Sequence, residues 1–232
     1  MGCQRQRISW RQRFNPTSII FCAIWVTGYI FCNPFCERIM SSLAFCLGNG
    51  LTRLEVNPDD LKLLGKVYAC NRAYCDFTPH VLVSTDKDMA QEIQKSGYSK
   101  LHTHYTRSNN ILQDSGAIPI PKNAGYSSGP VAVTLAALDG HRHIYLVGMD
   151  LVGLNNRINN IYAGTANYRN TDSAAVHYGN WISQIADIAS EFRTTEFFHV
   201  NPLAGYTPPE WSNLRNFSVL NLNEFRNMIN NL

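Results

Sequence analysis

Four short polar motifs each follow an apolar segment of this chain. They are Leu47-Gly48-Asn49-Gly50, Cys70-Asn71-Arg72, Ser84-Thr85-Asp86 and Gly148-Met149-Asp150. Open α/β sheets bind their ligands at the carboxyl ends of parallel strands, so the four motifs together predict one ligand site. The chemistry available there is that of amides, hydroxyls and carboxylates, which bind polar ligands by hydrogen bonds.

The first motif predicts close contact between the backbone and a ligand. Gly48 and Gly50 carry no side chain. Asn49 presents both a donor and an acceptor, and Thr52 adds a hydroxyl. An Asn-Gly pair is equally typical of an ordinary tight turn. Asn71, which ends the second apolar segment, is a candidate partner for a base or a ribose, with a simple cap as the alternative.

The third motif continues as Asp86-Lys87-Asp88. Many glycosyltransferases hold a divalent metal against a diphosphate with an Asp-x-Asp pattern, because carboxylate oxygens suit Mg²⁺ and Mn²⁺. Two aspartates also favour the start of a helix, where negative charge is stabilised. We interpret the motif as a helix start, with Thr85 or Asp86 facing the ligand. This interpretation leaves the motif without a metal.

Three further positions are candidates for binding or catalysis. Ser127-Ser128-Gly129 opens a helix whose free N–H groups suit a phosphate or carboxylate, with plain capping as the alternative. Asp150 is a candidate acceptor for a sugar or ribose hydroxyl, or it closes a turn. His177 stands between a long polar loop and a helix, where an imidazole can act as general base near neutral pH. A structural histidine is the alternative there.

Apolar segments alternate with helical stretches from residue 43 onward, which predicts βαβ units and a mostly parallel sheet. Strands are predicted at 43–47, 67–70, 81–84, 101–105, 143–147 and 196–200. Helices are predicted at 86–96, 131–138, 176–192 and 222–231. A turn is predicted at residues 118–121, and the long loop at about 151–176 is predicted to be a lid. We therefore expect one Rossmann-like α/β domain over residues 40–232, with helices flanking the sheet.

Residues 1–39 form a basic and then apolar segment. The apolar part, residues 19–35, is shorter than the ~20 residues of a typical membrane span. It predicts either a signal-anchor that associates with a membrane or an extension before a start at Met40, which would leave the protein cytoplasmic. The net charge of +3 comes mainly from the first thirteen residues, so nucleic-acid binding is not expected. Seven cysteines without a Cys-x-x-Cys pair predict reduced thiols.

Taken in order, the motifs resemble the bacterial sialyltransferases of glycosyltransferase family 42 and related phage and bacterial proteins. That family has a Gly-Asn-Gly turn, a strand ending in Cys-Asn, a Ser-Gly helix start, a Gly-x-Asp strand end, a lid and a histidine at the next helix. The resemblance covers about residues 42–200. The matching positions are Gly48-Asn49-Gly50, Cys70-Asn71, Ser127-Ser128-Gly129, Gly148-Met149-Asp150 and His177.

The resemblance implies an enzyme that binds a CMP-activated sugar without a metal or a resident cofactor and transfers the sugar to a glycan or another hydroxyl acceptor. His177 would be the base that deprotonates this hydroxyl. The pocket for the nucleotide and the donor sugar would be lined by Asn49, Asn71, Ser127, Ser128 and Asp150. The lid tyrosines that assist the leaving phosphate match loosely to Tyr162, Tyr168 or Tyr178. Whether the chain forms a homo-oligomer is left open.

Two departures from the family pattern keep other functions open. Gly125 stands where the sialyltransferases have an arginine, and Val152 stands where they have a tyrosine. One alternative is a nucleotide-dependent enzyme of the pyrophosphokinase type, which would use ATP with a metal held by Asp86 and Asp88. The other is a protein that binds a nucleotide or a glycan without catalysis.

Overall fold

The computed structural model describes residues 42–175, 177–201 and 208–231, and the backbone of 23–26 and 29–32. Ala23–Val26 and Tyr29–Cys32 pair as two antiparallel strands. The rest of the predicted anchor lies outside the described residues, so its role stays a prediction. Within the described ranges, no helix is both long and apolar enough to cross a bilayer.

Residues 42–231, where described, contain a sheet of eight parallel strands. The strands are β1 Leu43–Leu47, β2 Lys66–Cys70, β3 Val81–Ser84, β4 His104–Thr106, β5 Ile118–Pro119, β6 His143–Val147, β7 Glu196–Val200 and β8 Phe217–Leu220. Their order across the sheet is β8-β7-β6-β1-β2-β3-β4-β5. The chain thus builds outward from β1 on one side and then returns to build outward from β6 on the other. This arrangement confirms the Rossmann-like α/β prediction.

Helices cover both faces of the sheet. They are α1 Pro58–Leu64, α2 Lys87–Lys95, α3 Tyr98–Leu101, α4 Ser128–Leu138, α5 Gly179–Glu191 and α6 Leu222–Asn230. Side chains of α4 and α5 share one buried cluster with one face of the sheet. Side chains of α1, α2 and α6 share a second cluster with the other face. The central strand β1 is buried along its whole length, as expected for a parallel strand covered on both sides.

Most predicted elements are confirmed, with shifts at their ends. Four of the six predicted strands have the predicted bounds, and Gly97 follows α2 with a φ of +82°, which favours glycine. The strand predicted at 101–105 is wrong in position, because α3 ends at Leu101 and β4 starts at His104. The predicted turn at 118–121 contains the two-residue strand β5. Helix α1 and strand β8 were not predicted.

The cysteine prediction is only partly confirmed. Cys46 and Cys70 are buried free thiols. Cys75 is disulfide-bonded, which corrects the expectation of reduced thiols at that position.

Candidate functional site

Strands β1 and β6 lie side by side where the strand order reverses. The segments that follow the two strands pack closely against each other. The Gly48 N–H donates to the Val147 carbonyl at 2.8 Å, and the Gly50 N–H donates to the Gly148 carbonyl at 2.7 Å. A Cβ on Gly48 would lie 2.4 Å from the Gly148 carbonyl oxygen. The glycines are therefore needed to bring the two strand ends together.

A cleft of about 350 Å³ opens at this reversal point. Ligands of doubly wound sheets bind in such a crevice, and the volume lies in the range of small-molecule pockets. Its polar lining comes from the ends of β1, β2, β3 and β6, the start of α4 and the lid loop. Apolar lining comes from the side of α5, through Trp181, Ile185 and Trp211.

We call the side of the cleft formed by Asn49, Asn71, Thr85 and Ser128 the first wall. Ser128 is its centre, because its hydroxyl donates to Asn71 Oδ1 at 3.0 Å and accepts from the Thr85 N–H at 3.0 Å. Ser128 has a single hydroxyl proton, so the Thr85 hydroxyl must donate to Ser128 Oγ, again at 3.0 Å. The Thr85 carbonyl accepts from Asn110. These groups bind one another within the chain.

Asn49 of the first wall holds the lid loop in place. Its side-chain amide donates to the Tyr168 hydroxyl at 3.1 Å, and its backbone carbonyl accepts from the Ile161 N–H at 2.8 Å. Its side-chain oxygen accepts from Arg53 at 3.3 Å. The predicted lid loop is therefore bound to the end of β1, and the side-chain oxygen and nitrogen of Asn49 already have partners.

Arg53 forms a buried ion pair behind the first wall. Its guanidinium lies 2.9 Å from the Asp76 carboxylate, and neither side chain is more than 3% exposed. The Tyr162 hydroxyl donates to the same carboxylate, and its ring lies 5.5 Å from the guanidinium. Burial raises the pKa of Tyr162 above its ordinary value, so this phenol stays protonated. Tyr162 thus anchors the lid to Arg53 and Asp76.

We call Asp150 and Tyr178, which also line the cleft, the second wall. Asp150 Oδ2 accepts from the Thr52 N–H at 3.1 Å and from Asn159 Nδ2 at 3.0 Å. Asp150 Oδ1 is buried and has no hydrogen-bond partner within the described part of the chain. A Cβ on Gly50 would lie 2.5 Å from Oδ2, so the carboxylate occupies the space that this glycine leaves open.

Tyr178 precedes α5, and its ring packs against Trp181 at 5.4 Å between centroids. Its hydroxyl is buried and also lacks a partner among the described residues. Burial raises the pKa of Tyr178, and the charge of Asp150 raises it further. Both residues line the same cleft. The second wall therefore presents two polar atoms with unused hydrogen-bonding capacity.

Arg107 follows β4 and is the one cation among the described residues that line the cleft. Its guanidinium donates to the carbonyls of Ala124 at 2.7 Å and of Gly125 at 3.3 Å. Arg107 thus lies beside the position where the family pattern has an arginine and this chain has Gly125. Arg107 was not predicted as a site residue, and its place directly after a strand was the available signal.

The start of α4 lies next to Arg107. The Ser127 N–H donates to Gln184 at 3.0 Å, and the Ser127 side chain makes no capping bond. The N–H groups of the first helical turn have no partners within an α-helix and carry the positive end of its dipole. Together with Arg107, they give this part of the cleft a positive potential.

The structure brings most of the predicted site residues to the cleft. Those that line it are Gly48, Asn49, Gly50, Asn71, Thr85, Asp86, Ser127, Ser128, Gly129 and Asp150. Thr52 and Tyr162 do not line the cleft. Thr52 lies behind Asp150, and Tyr162 lies behind the first wall.

The predicted base, His177, is not among the residues that line the cleft. It is exposed to solvent, and its ring folds toward Gly179 at the start of α5. Its neighbour Tyr178 lines the cleft instead. His177 therefore lies beside the cleft and not within it.

The two aspartates of the Asp-x-Asp motif face different depressions of the surface. Asp86 lines the cleft, whereas Asp88 lines a shallower depression with Tyr74, Glu92 and Tyr98. Both stand at the start of α2, as predicted for a helix start. Among the described residues, no group of three or more histidine, cysteine or acidic side chains converges on one point.

Cys70 also lines the cleft, but it is not set up as a nucleophile. Burial raises the pKa of its thiol to about 12, so the reactive thiolate is scarce at neutral pH. The thiol lies 3.6 Å from the Leu47 carbonyl and donates to it. Its role in the cleft is therefore packing.

Comparison of the chain with protein-family models, with curated proteins and with solved structures gave no match. Function is therefore inferred from the residues and their geometry.

Proposed function

We propose that this protein is a glycosyltransferase that binds a nucleotide-activated sugar in the cleft and transfers the sugar to an acceptor hydroxyl. The observation that supports this most strongly is the polar cleft at the reversal point of a Rossmann-like sheet. Nucleotides bind at this position in doubly wound folds. The motif order of the sialyltransferase family supports a CMP-sugar as the donor.

The distribution of charge in the cleft suits such a donor. Arg107 and the N–H groups at the start of α4 are complementary to a phosphate. Asp150 is complementary to hydroxyl groups, because an ionised carboxylate only accepts hydrogen bonds. A donor that carries both a phosphate and sugar hydroxyls matches both parts of the lining.

The proposed transfer does not use a divalent metal held by the Asp-x-Asp motif. Asp86 and Asp88 line different depressions, which is an argument against a joint metal site. Arg107 and the start of α4 would instead balance the charge of the leaving phosphate. The pyrophosphokinase alternative requires both aspartates at one metal, so the geometry favours the glycosyltransferase.

In the proposed reaction, a base takes the proton of the acceptor hydroxyl. The acceptor oxygen forms a bond to the anomeric carbon of the donor sugar, and the bond from that carbon to the phosphate oxygen breaks. The nucleotide leaves with the electron pair of that bond. His177 is our candidate for the base because it is exposed directly beside Tyr178 of the cleft, where an acceptor can approach.

Transfer assays with a panel of CMP-sugars in the presence of EDTA test this proposal. We expect a single sugar-transfer product, and we expect His177→Ala to lower kcat about 100-fold or more while CMP affinity stays within about twofold. The control is His102→Ala, another exposed histidine, whose ring packs on Tyr98 away from the cleft.

Unchanged turnover of His177→Ala would remove the base assignment. CMP binding without turnover of any donor would favour a non-catalytic binding protein. Activity that requires ATP with Mg²⁺ would favour the pyrophosphokinase alternative.

A further inference from the structure

Asp150 uses only one of its two carboxylate oxygens. Oδ2 accepts two hydrogen bonds, one from the Thr52 backbone N–H and one from the Asn159 side chain, and these bonds hold the carboxylate in place. Oδ1 has no donor within the described part of the chain, although Asp150 is only 5% exposed. An unpaired buried acceptor is costly, above all when it is charged. A donor from outside the chain would remove this cost.

Tyr178 offers complementary chemistry in the same cleft. Its buried hydroxyl has no partner among the described residues, and it does not bond to Asp150. Both residues line the same cleft, and the oxygen that each leaves unpaired is buried. Asp150 Oδ1 can only accept a hydrogen bond, whereas the phenol can donate one. A single group that both donates and accepts would therefore satisfy the two residues together.

We propose that Asp150 and Tyr178 form a subsite for one hydroxyl of the ligand's sugar ring, which donates to Asp150 Oδ1 and accepts from the Tyr178 hydroxyl. The identity of the ligand rests on the proposed function, in which the ring belongs to the ribose or the transferred sugar of a nucleotide-activated donor. A phosphate does not fit this subsite, because the carboxylate would repel it. The subsite therefore sets both the orientation of the donor and its selection by hydroxyl pattern.

Two conservative variants remove the two halves of the subsite. In Asp150→Asn, the amide oxygen can take the place of Oδ2 and keep the bonds from Thr52 and Asn159. The NH₂ group then takes the place of Oδ1, so a donor stands where the ligand hydroxyl needs an acceptor. Tyr178→Phe removes only the phenol oxygen. The matched controls are Asp172→Asn, an exposed partner of Arg157, and Tyr126→Phe, whose hydroxyl bonds Asp187 outside the cleft.

Calorimetric titration of the full chain supplies the test, in two arms. The first arm compares CMP with 2′-deoxy-CMP and 3′-deoxy-CMP. The second arm titrates free monosaccharides and their deoxy forms at millimolar concentration. In at least one arm, we expect loss of one hydroxyl to weaken binding to the wild type about 10- to 100-fold.

The two subsite variants should lose the difference in affinity between the parent ligand and its deoxy form. Asp150→Asn and Tyr178→Phe should bind the parent ligand about as weakly as the wild type binds the deoxy ligand, with little further loss when the hydroxyl is removed. Both controls should discriminate as the wild type does. The arm that shows the effect identifies the ring as the ribose or as the transferred sugar.

The failure of this subsite and the failure of the proposed function give different results. Nucleotide binding without hydroxyl discrimination in either arm would overturn the subsite and leave the proposed function standing. Monosaccharide binding that depends on Asp150, without any nucleotide binding, would overturn the proposed donor and support the subsite. Absence of binding in both arms would overturn both.

Discussion

The two walls of the cleft contain similar kinds of side chain but differ in how far their hydrogen bonds are satisfied. In the first wall, Ser128 bonds Asn71 and Thr85, and Asn49 bonds Arg53 and Tyr168. In the second wall, one oxygen of Asp150 and the hydroxyl of Tyr178 have no partner within the described residues. A polar side chain in a cleft is thus not by itself a ligand contact.

This difference assigns different roles to the two walls. Groups whose hydrogen bonds are satisfied within the chain hold the strand ends and the lid in place. Groups that are buried and unsatisfied are available to a ligand, which would supply their missing partners. Substitutions in the first wall should therefore act mainly on stability, and those in the second wall mainly on binding.

The largest expected effect on stability comes from the ion pair behind the first wall. Arg53→Met leaves the buried Asp76 carboxylate without its cation, so we expect a loss of about 3–5 kcal/mol in the free energy of unfolding. Urea denaturation measures this loss. The control Arg157→Ala breaks an exposed pair with Asp172 and should cost no more than about 1 kcal/mol. Equal losses for the two variants would show that the buried pair does not anchor the fold.

The adjacent serines at the start of α4 allow a sharper comparison. Ser128→Ala removes a hydroxyl that bonds Asn71 and Thr85, and we expect it to lower the free energy of unfolding by about 2–3 kcal/mol. Ser127→Ala removes a hydroxyl without a capping bond and should cost less than about 0.5 kcal/mol. Thermal and urea unfolding of both variants give the answer. A larger loss for Ser127→Ala would reverse the role given to the first wall.

Gly50 tests the connection between the two walls. A Cβ there would lie 2.5 Å from Asp150 Oδ2 and 2.8 Å from the Gly148 carbonyl oxygen. We expect Gly50→Ala to cost about 1–3 kcal/mol in stability and to weaken ligand binding, because the carboxylate must move. Gly125→Ala is the control, since its Cβ would meet no atom within 4 Å. Unchanged binding by Gly50→Ala would mean that the position of Asp150 does not matter to the ligand.

The smallest expected effect lies away from the cleft, around Lys66 at the start of β2. Asp139 accepts from Lys66 at 2.6 Å and from the Tyr68 hydroxyl. Burial raises the pKa of Asp139, but these two hydrogen bonds and the charges of Lys66 and His141 together outweigh it, so the pKa lies below its ordinary value. A lowered pKa in the folded state stabilises the protein above the unfolded value of about 3.9, and the contribution is lost as pH falls further.

Asp139→Asn should therefore reduce stability at pH 7 and have almost no effect near pH 2–3. Because the Asp139 side chain is 41% exposed, we expect the difference at pH 7 to stay below about 1 kcal/mol. Urea unfolding of the wild type and the variant at both pH values measures it. A difference that persists at low pH would contradict the pKa shift, and a change in ligand binding would contradict the separation of this cluster from the cleft.

The sequence predicted the sheet and the strand ends at the cleft well, because buried parallel strands are continuous apolar segments followed by polar turns. β1 and β6 are examples, and Gly48 and Asp150 follow them as expected. Edge strands were harder to predict. β5 has two exposed residues and β8 is only partly buried, so neither has a strong apolar pattern.

The partners of the polar residues could not be predicted from the sequence. Asn49 and Tyr168 are 119 residues apart, and Ser128 and Asn71 are 57 apart, so only the folded chain brings them into contact. The contact between Arg107 and the Gly125 carbonyl likewise forms only in the folded chain. His177 was predicted from its position before a helix; it is exposed beside the cleft, and its neighbour Tyr178 lines the cleft.

The most direct test of the ligand site is to map amide chemical shifts by NMR while CMP is added to the full chain in EDTA. The account predicts that the largest changes fall on residues 48–52 and 148–151 and on the first turn of α4. Shifts confined to the depression around Tyr74, Tyr98 and His102, or no shifts at millimolar CMP, would contradict it.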